Sequence, residues 1–190
     1  MGCRTIESGD EHFLLPQERQ SVRTSNIDRL RASGAARHIA HRLLGEYDKQ
    51  EFPILRASSG DPIWPKRIVG SLAHDDEVAV AAVGNADSFS GLGIDVEPSV
   101  PLPEDIQSLV RNAADDTGEE HASGISDRIL FCAKEAVYKA VYPLDRVMLN
   151  FDDISINLTE NYAITTTGRQ VQLVFCSSPR IIVLAFLPNV

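Results

Sequence analysis

The sequence lacks several features that would point to common classes of protein. Its 190 residues carry 18 Lys and Arg against 27 Asp and Glu, a net charge of −9. The basic surface that nucleic-acid binding requires is therefore not expected. No run of about eighteen apolar residues occurs, so no membrane span is predicted. The first residues lack the apolar core of a signal peptide, which favours a cytoplasmic protein.

Cysteine is scarce and offers no metal-binding pattern. The three cysteines, Cys3, Cys132 and Cys176, lie far apart and outside the spacings typical of metal ligands. Reduced thiols are therefore expected. The chain also lacks a Walker-type glycine loop and the motif set of the protein kinases. Its composition, 43% hydrophobic and 24% charged, is ordinary for a globular protein of one domain or two small packed halves.

The order of apolar patterns predicts an α+β (mixed α/β) protein with two similar halves. Either Ser25 or Asn26 is a plausible N-cap for a helix that runs through Leu44 and ends at Gly45. Three strand patterns follow between residues 68 and 97 as a meander. After an acidic linker come a second helix and four strands of an antiparallel sheet. Each half is thus a helix packed on a small antiparallel sheet, with a pseudo-two-fold relation between them. The expected division is 1–100 (N-terminal half), 101–126 (exposed linker) and 127–190 (C-terminal half).

Two carboxylates stand out on the third predicted strand, at residues 91–97. Strand alternation puts Asp95 and Glu97 on one face and Ile94 and Val96 on the other. Two neighbouring acids repel each other unless a cation compensates them, and Mg²⁺ prefers such oxygen ligands together with phosphate oxygens. The alternative is a half-exposed strand end with two solvated acids.

The second helix carries an acid and a base one turn apart. Glu135 and Lys139 lie four residues apart and so share a face, while an apolar stripe at helical spacing predicts burial of another face. Pro143 is expected to end the helix. Read alone, the pair is also consistent with an ordinary surface Glu–Lys contact.

The first helix is cationic in an otherwise acidic chain. Arg29, Arg31, Arg37 and Arg42 recur along it. They indicate either a solvated face or a set of fork-shaped donors for a phosphate-rich ligand.

Three segments together resemble a known family. They are Gly-Ser-Leu-Ala-His at 70–74, Gly-Ile-Asp-Val-Glu-Pro at 93–98, and Phe-Cys-Ala-Lys-Glu-Ala-Val-Tyr-Lys-Ala at 131–140. In this order and spacing they resemble the 4′-phosphopantetheinyl transferases, in particular the monomeric two-half branch typified by the enterobactin synthase transferase component. The resemblance covers roughly residues 25–160. Each motif alone is weakly specific, but three in order are strong.

The resemblance implies a reaction and a metal site. Such enzymes move 4′-phosphopantetheine from coenzyme A, their substrate, to a serine of an acyl or peptidyl carrier protein. The reaction depends on Mg²⁺ and releases adenosine 3′,5′-bisphosphate. By this resemblance Asp95, Glu97 and Glu135 would hold the Mg²⁺. Glu135, directly or through a bound water, would also take the proton of the serine hydroxyl.

The same resemblance implies a set of phosphate contacts. Lys139 would neutralise or protonate the departing phosphate, His74 would donate to the coenzyme phosphates, and Lys134 would be a further cation of the phosphate region. The remaining coenzyme-binding residues expected by resemblance are Ser71, Arg31 and Arg37. The linker would recognise the carrier, and since it is acidic here, contact is expected from Ile106, Leu109 and Val110.

The sequence departs from the family pattern at two places. Ala73 stands where a Ser or Thr usually precedes the histidine, and Gly34 is not followed by the usual arginine. These departures would allow a non-catalytic member that binds coenzyme A or carrier, and another Mg²⁺-dependent phosphotransferase is a second alternative. Fatty-acid, polyketide and nonribosomal-peptide carriers are all possible partners, and secondary metabolism is favoured only by analogy with the siderophore branch.

Overall fold

The computed structural model describes residues 1–118 and 125–189 of the chain. Helices and antiparallel strands make up a mixed α+β architecture. The α-helices are α1 (Pro16–Val22), α2 (Ile27–Leu44), α3 (Glu104–Val110) and α4 (Ile125–Asp145). The strands are β1 (Gly2–Thr5), β2 (Leu55–Arg56), β3 (Pro62–Ile63), β4 (Ile68–His74), β5 (Val78–Asn85), β6 (Phe89–Pro98), β7 (Ile154–Asn157), β8 (Tyr162–Thr165), β9 (Gln170–Cys176) and β10 (Arg180–Pro188).

The N-terminal part packs α2 on a three-stranded sheet of order β1-β5-β4. The predicted cap is confirmed, because the Asn26 side chain accepts hydrogen bonds from the amides of Asp28 and Arg29 at 2.9 and 3.0 Å. The apolar side of α2 is made of small residues around Ala40 and Leu44, neither of which is exposed. Small side chains let the helix lie close to the sheet.

The C-terminal part packs α4 on a five-stranded antiparallel sheet of order β6-β10-β9-β8-β7. The four strands predicted after the second helix are confirmed to within a residue or so at their ends. Their alternate side chains and the apolar stripe of α4 form the largest buried cluster of the chain, as far as the described residues show.

The third strand of the predicted meander is placed differently. β6 pairs antiparallel with β10 over its whole length, from Pro98 opposite Arg180 to Phe89 opposite Pro188. It therefore belongs to the C-terminal sheet, although the expected division at residue 100 groups it with the N-terminal half. The reason is that alternation specifies which residues share a face, whereas it does not specify which strand accepts the backbone hydrogen bonds.

An apolar cluster joins the two sheets. Ala73, Val80 and Ala82 of the first sheet pack against Ile94 and Val96 of β6. The two sheets are thus stacked face to face, with α2 on one outer side and α4 on the other. Because Ile94 and Val96 face the first sheet, Asp95 and Glu97 face α4, as the alternation predicted.

One local expectation was wrong. Pro143 does not end α4, which continues to Asp145, and the Arg146 amide still donates to the Tyr142 carbonyl at 2.9 Å. A proline near the end of a helix removes a single backbone bond, so one further turn is possible. Most described residues of the linker are exposed, in line with the expectation, but the Asp115 side chain is only 1% exposed. Residues 119–124 of that linker lie outside the described residues.

Much of the N-terminal segment was not anticipated. Residues 1–24, which gave no sequence pattern, contain β1 and α1, and the loop expected at 46–67 contains the short hairpin β2–β3. Across the described parts of the chain, no helix combines the length and the apolar character needed to cross a membrane.

Candidate active site

Two glycines of β6 let α4 approach the strand that bears the acids. A Cβ built on Gly93 would lie 1.9 Å from the Ala136 carbonyl oxygen, and one on Gly91 would lie 2.4 Å from that of Ala140. Only glycine fits these positions, because helix backbone occupies the space of a side chain. The close packing brings Glu135 and Lys139 of α4 over the acidic end of β6.

Each acid of β6 has a cationic partner. Lys139 Nζ lies 2.6 Å from Asp95 Oδ1, and Arg128 Nη1 lies 2.6 Å from Glu97 Oε2. Arg128 also donates to the carbonyls of Val100 and Pro101, so it is held at the start of the linker. The structure thus brings together Asp95, Glu97 and Lys139 as predicted and adds Arg128 to them.

Negative charge nevertheless exceeds positive charge in this cluster. Burial raises the pKa of Glu135, Lys139 opposes that shift, and the charges of Asp95 and Glu97 raise it further. Burial also raises the pKa of Glu97, against the effect of Arg128. Within the described residues, Asp95 Oδ2 is buried without a hydrogen-bond partner. A buried carboxylate oxygen without a donor is costly, so the cluster is suited to receive a cation.

The donor set fits a hard divalent cation, although the acids are not arranged as ligands. Asp95 and Glu97 on β6 and Glu135 on α4 supply carboxylate oxygens, one of them unpartnered, and such oxygens are the ligands that Mg²⁺ prefers. Residues 1–118 and 125–189 contain no group of three or more His, Cys, Asp and Glu side chains already converging on one point. Lys139 and Arg128 instead occupy one oxygen each of Asp95 and Glu97.

Lys134 was predicted to be a cation of the phosphate region, but the structure buries it away from there. Its side chain is 0% exposed, and its ammonium contacts the Val110 carbonyl at 2.7 Å, Asp115 Oδ2 at 2.8 Å and the Phe151 carbonyl at 3.0 Å. An ammonium has three N–H donors, and these three acceptors use them all. Lys134 therefore ties α4 to the segment after α3, on the side of the helix away from Lys139.

A second part of the site is a cavity of about 570 Å³ beside α2. Its cationic lining comes from four segments: the end of α1, α2 itself, β2 and the end of β4. The positively charged or titratable residues that line it are Arg23, Arg29, Arg37, Arg56 and His74. A concave site with several guanidinium groups is suited to a phosphorylated ligand.

The structure separates the predicted coenzyme-binding residues into two groups. Arg37 and His74 line the cavity, as does Ala73. Arg31 does not, because it pairs with Glu11 at 3.3 Å and Asp28 at 3.4 Å on the outside of α2. Ser71 is 4% exposed and does not line the cavity either.

The cavity and the acidic cluster are neighbours through shared elements. Ala73 lines the cavity and also packs against Ile94 and Val96, the residues on either side of Asp95. On another side the hairpin β2–β3, which lines the cavity, reaches the end of α4, where Arg146 Nη1 lies 3.5 Å from Asp61 Oδ2.

Comparison with known proteins gives this arrangement a family. Residues 17–84 match the model of the 4′-phosphopantetheinyl transferase N-terminal domain, and residues 91–182 match that of the 4′-phosphopantetheinyl transferase superfamily. The 4′-phosphopantetheinyl transferase PptT of Mycobacterium tuberculosis is 39% identical over 160 residues, 83% of this chain and 70% of the relative. The chain belongs to the 4′-phosphopantetheinyl transferases.

Two further transferases are similar over most of the chain. Npt of Nocardia iowensis is 37% identical over 153 residues, covering 80% of this chain and 69% of the relative. Svp of Streptomyces mobaraensis is 34% identical over 152 residues, covering 76% of this chain and 61% of the relative. The two family models meet between β5 and β6, where the sheet pairing also changes from the first sheet to the second.

Several residues of this transferase site were missed by sequence reasoning. Arg23 and Arg56 belong to elements that gave no pattern, α1 and the short hairpin. Arg128 lies nearly two turns before the Lys-Glu motif on the same helix, and a cation there was a signal that could have been read, since it pairs with Glu97. Glu18, fully buried below the cavity, had no signal in the sequence beyond its place in the first turn after Pro16.

Proposed function

We propose that this transferase binds coenzyme A with its nucleotide phosphates in the arginine-lined cavity and its pyrophosphate toward Glu135 and Lys139. The observation that carries the proposal is the juxtaposition of a cationic cavity and an under-compensated carboxylate cluster on stacked sheets. Guanidinium groups recognise phosphate through paired donors, and Arg37, the most buried of them, supports a fixed phosphate position.

We assign the proton-accepting role to Glu135. A carboxylate whose pKa is raised by burial and by neighbouring acids is a better base toward a serine hydroxyl than a solvated one. Lys139, on the same face of α4, is placed to neutralise the charge that develops on the departing phosphate. Asp95, Glu97 and Glu135 would hold Mg²⁺, which when bound neutralises pyrophosphate charge and polarises the phosphorus–oxygen bond.

We place carrier docking at α3, with one residue as its centre. Of the three apolar residues expected there, Val110 is buried in the core and Ile106 packs against it, whereas Leu109 is 65% exposed. Leu109 therefore supports an apolar contact in an acidic segment. We further propose a cytoplasmic protein, supported by the free state of Cys3, Cys132 and Cys176, and, by resemblance to the two-half branch alone, a monomer.

One incubation tests the transfer. Apo-carrier protein, coenzyme A and Mg²⁺ are combined with the enzyme, and the carrier is measured by intact mass. A gain of one phosphopantetheine is expected, and fatty-acid, polyketide and nonribosomal-peptide carriers are compared to rank the partners. No gain with any of them would refute the assignment and favour a non-catalytic family member.

The carrier surface has its own test. Leu109→Asp should raise the KM for the carrier about tenfold and leave the KM for coenzyme A unchanged, because an exposed apolar contact is lost. Steady-state rates at varied concentrations of each substrate measure both values. Glu51→Gln, an exposed change in the N-terminal part of the chain, serves as the control. An equal effect of Leu109→Asp on both KM values would contradict docking at α3.

A further inference from the structure

Beneath the arginine cavity lies a buried carboxylate that the catalytic roles above do not use. Glu18 of α1 is 0% exposed. Its Oε2 accepts the Leu15 amide at 2.9 Å, and its Oε1 accepts the Ile54 amide at 2.8 Å and contacts His41 Nε2 at 2.9 Å. Arg37 Nε lies 3.9 Å from the same oxygen. One carboxylate thus joins α1, α2 and the segment that leads into β2.

The hydrogen bonds of His41 fix its charge. Its Nε2 faces the Glu18 carboxylate, and its Nδ1 lies 2.6 Å from the Gln50 carbonyl oxygen. Both partners are acceptors, so both ring nitrogens have to donate, which is the bonding of an imidazolium. The other titratable groups near it are Arg37 and His38 of α2.

Arg37 is held beside Glu18 and also lines the cavity. Its Nε donates to the Ile54 carbonyl at 2.9 Å, and its Nη1 donates to Ser33 Oγ at 2.5 Å. Both Arg37 and Ser33 line the cavity. Two residues beyond Ile54 comes Arg56, and at the far end of α1 comes Arg23, which also line it.

From these contacts we propose that Glu18 and His41 are positioning residues that hold the arginines of the cavity for the phosphates of coenzyme A. The inference rests on the proposed function of the cavity and extends it to residues that do not touch the ligand. Three arginine-bearing segments meet at one carboxylate, so loss of its charge would release all three together. Guanidinium groups that are fixed in place before binding recognise phosphate at a lower entropic cost than groups that must first be ordered.

The test measures the affinity for adenosine 3′,5′-bisphosphate by calorimetry, together with kcat and both KM values. Glu18→Gln places an amide donor against amide, imidazole or guanidinium donors. We expect it to raise the Kd for the bisphosphate and the KM for coenzyme A about tenfold, with kcat and the carrier KM unchanged. All measurements are made at a temperature at which each variant is folded.

A matched variant separates positioning from stability. Asp10 is also a buried acid of the N-terminal part, paired with Arg4 at 2.7 Å, but it does not line the cavity or contact Glu18. Asp10→Asn should lower the melting temperature without changing the Kd. If Glu18→Gln and Asp10→Asn both leave the Kd within twofold of the wild-type value, Glu18 is only structural and the inference fails.

A pH series adds a measurement that a structural role would not change. Wild-type affinity relative to His41→Gln should be highest near pH 6 and should fall toward pH 9 as the imidazolium loses its proton. A ratio independent of pH would overturn the part assigned to His41. Arg56→Ala tests the cavity itself. If it leaves the Kd unchanged, the proposed function of the cavity fails; if it weakens binding while Glu18→Gln does not, only the positioning inference fails.

Discussion

Two buried carboxylates, Glu18 beneath the cavity and Asp95 beside α4, meet very different surroundings. Glu18 has polar partners on both oxygens, and although burial by itself raises its pKa, His41 and two backbone amides bring the pKa below its ordinary value. Asp95 has Lys139 on one oxygen, and its other oxygen has no hydrogen-bond partner among the described residues, although the Cys132 thiol lies near this carboxylate. Its acidic neighbours have raised pKa values.

The difference separates structural charge from charge available for binding. A carboxylate with a hydrogen-bond donor on each oxygen, like Glu18, stabilises the native fold, and a further cation would add little stability there. Buried acids that lack enough hydrogen-bond or ionic partners are stabilised when they bind a cation. The same contrast distinguishes two lysines of one motif, since Lys134 is fully bonded inside the core and Lys139 is partly exposed beside Asp95.

The largest effect is expected at Glu135. Glu135→Gln should lower the rate of transfer by about 10²–10⁴-fold, because the amide cannot accept the serine proton. The melting temperature should hold or rise, because the charge that burial disfavours is removed. Intact-mass assays of the carrier and thermal unfolding check the two parts. Full activity of this variant would leave Glu135 without the assigned role and weaken the contrast with Glu18.

Lys134→Met should act on stability. It leaves Asp115 buried without its cation, at a cost of about 3–5 kcal/mol in the free energy of unfolding. Denaturant titration measures the loss. The double variant Lys134→Met/Asp115→Asn should regain part of it, because the uncompensated charge is removed while the Ile156 amide keeps a side-chain acceptor. A variant that stays stable but loses transfer would restore Lys134 to the phosphate region.

Mg²⁺ should stabilise the protein through the acids of β6 and α4 alone. At about 100 times the Kd, the free energy of unfolding should rise by about 2.7 kcal/mol, since only the folded chain brings these carboxylates together. Thermal unfolding with and without Mg²⁺ measures the shift. Asp95→Asn should abolish the shift and Glu160→Gln should keep it. A shift that survives Asp95→Asn would place the metal elsewhere.

The smallest expected effect is the pH dependence of the Glu18–His41 contact. Burial lowers the pKa of His41, whereas Glu18 and the Gln50 carbonyl raise it. The net effect is a pKa above the ordinary value of 6.5. The stabilisation is therefore complete below about pH 6.5 and is lost as the pH rises through the raised value. The melting temperature of wild type minus that of His41→Gln should be larger at pH 6 than at pH 9. An equal difference at both would mean that His41 is neutral in the fold.

Periodicity and motif order were sufficient for most of the fold and for the acidic half of the site. The cap of α2, the four C-terminal strands and the shared face of Asp95 and Glu97 follow from local rules that act over a few residues. Three motifs in a fixed order were sufficient to identify the family, because the order and spacing of all three together are far more specific than any single motif. Little that is local indicated α1 or the short hairpin. Both are only a few residues long, and the bond from the Ile54 amide to Glu18 of α1 ties the segment before the hairpin to that helix.

What the sequence determined by itself is which residues could carry charge on each element and which of them share a face. Only the tertiary structure decided which charges are satisfied. Pairing of β6 with β10 and the approach of α4 to Gly91 and Gly93 set Glu135 against Asp95. The fold of the linker against α4 buried Lys134, and the packing of α1 on α2 placed Glu18 under Arg37. The physical reason is that desolvation and partner geometry, which set the role of an ionised group, depend on residues distant in sequence.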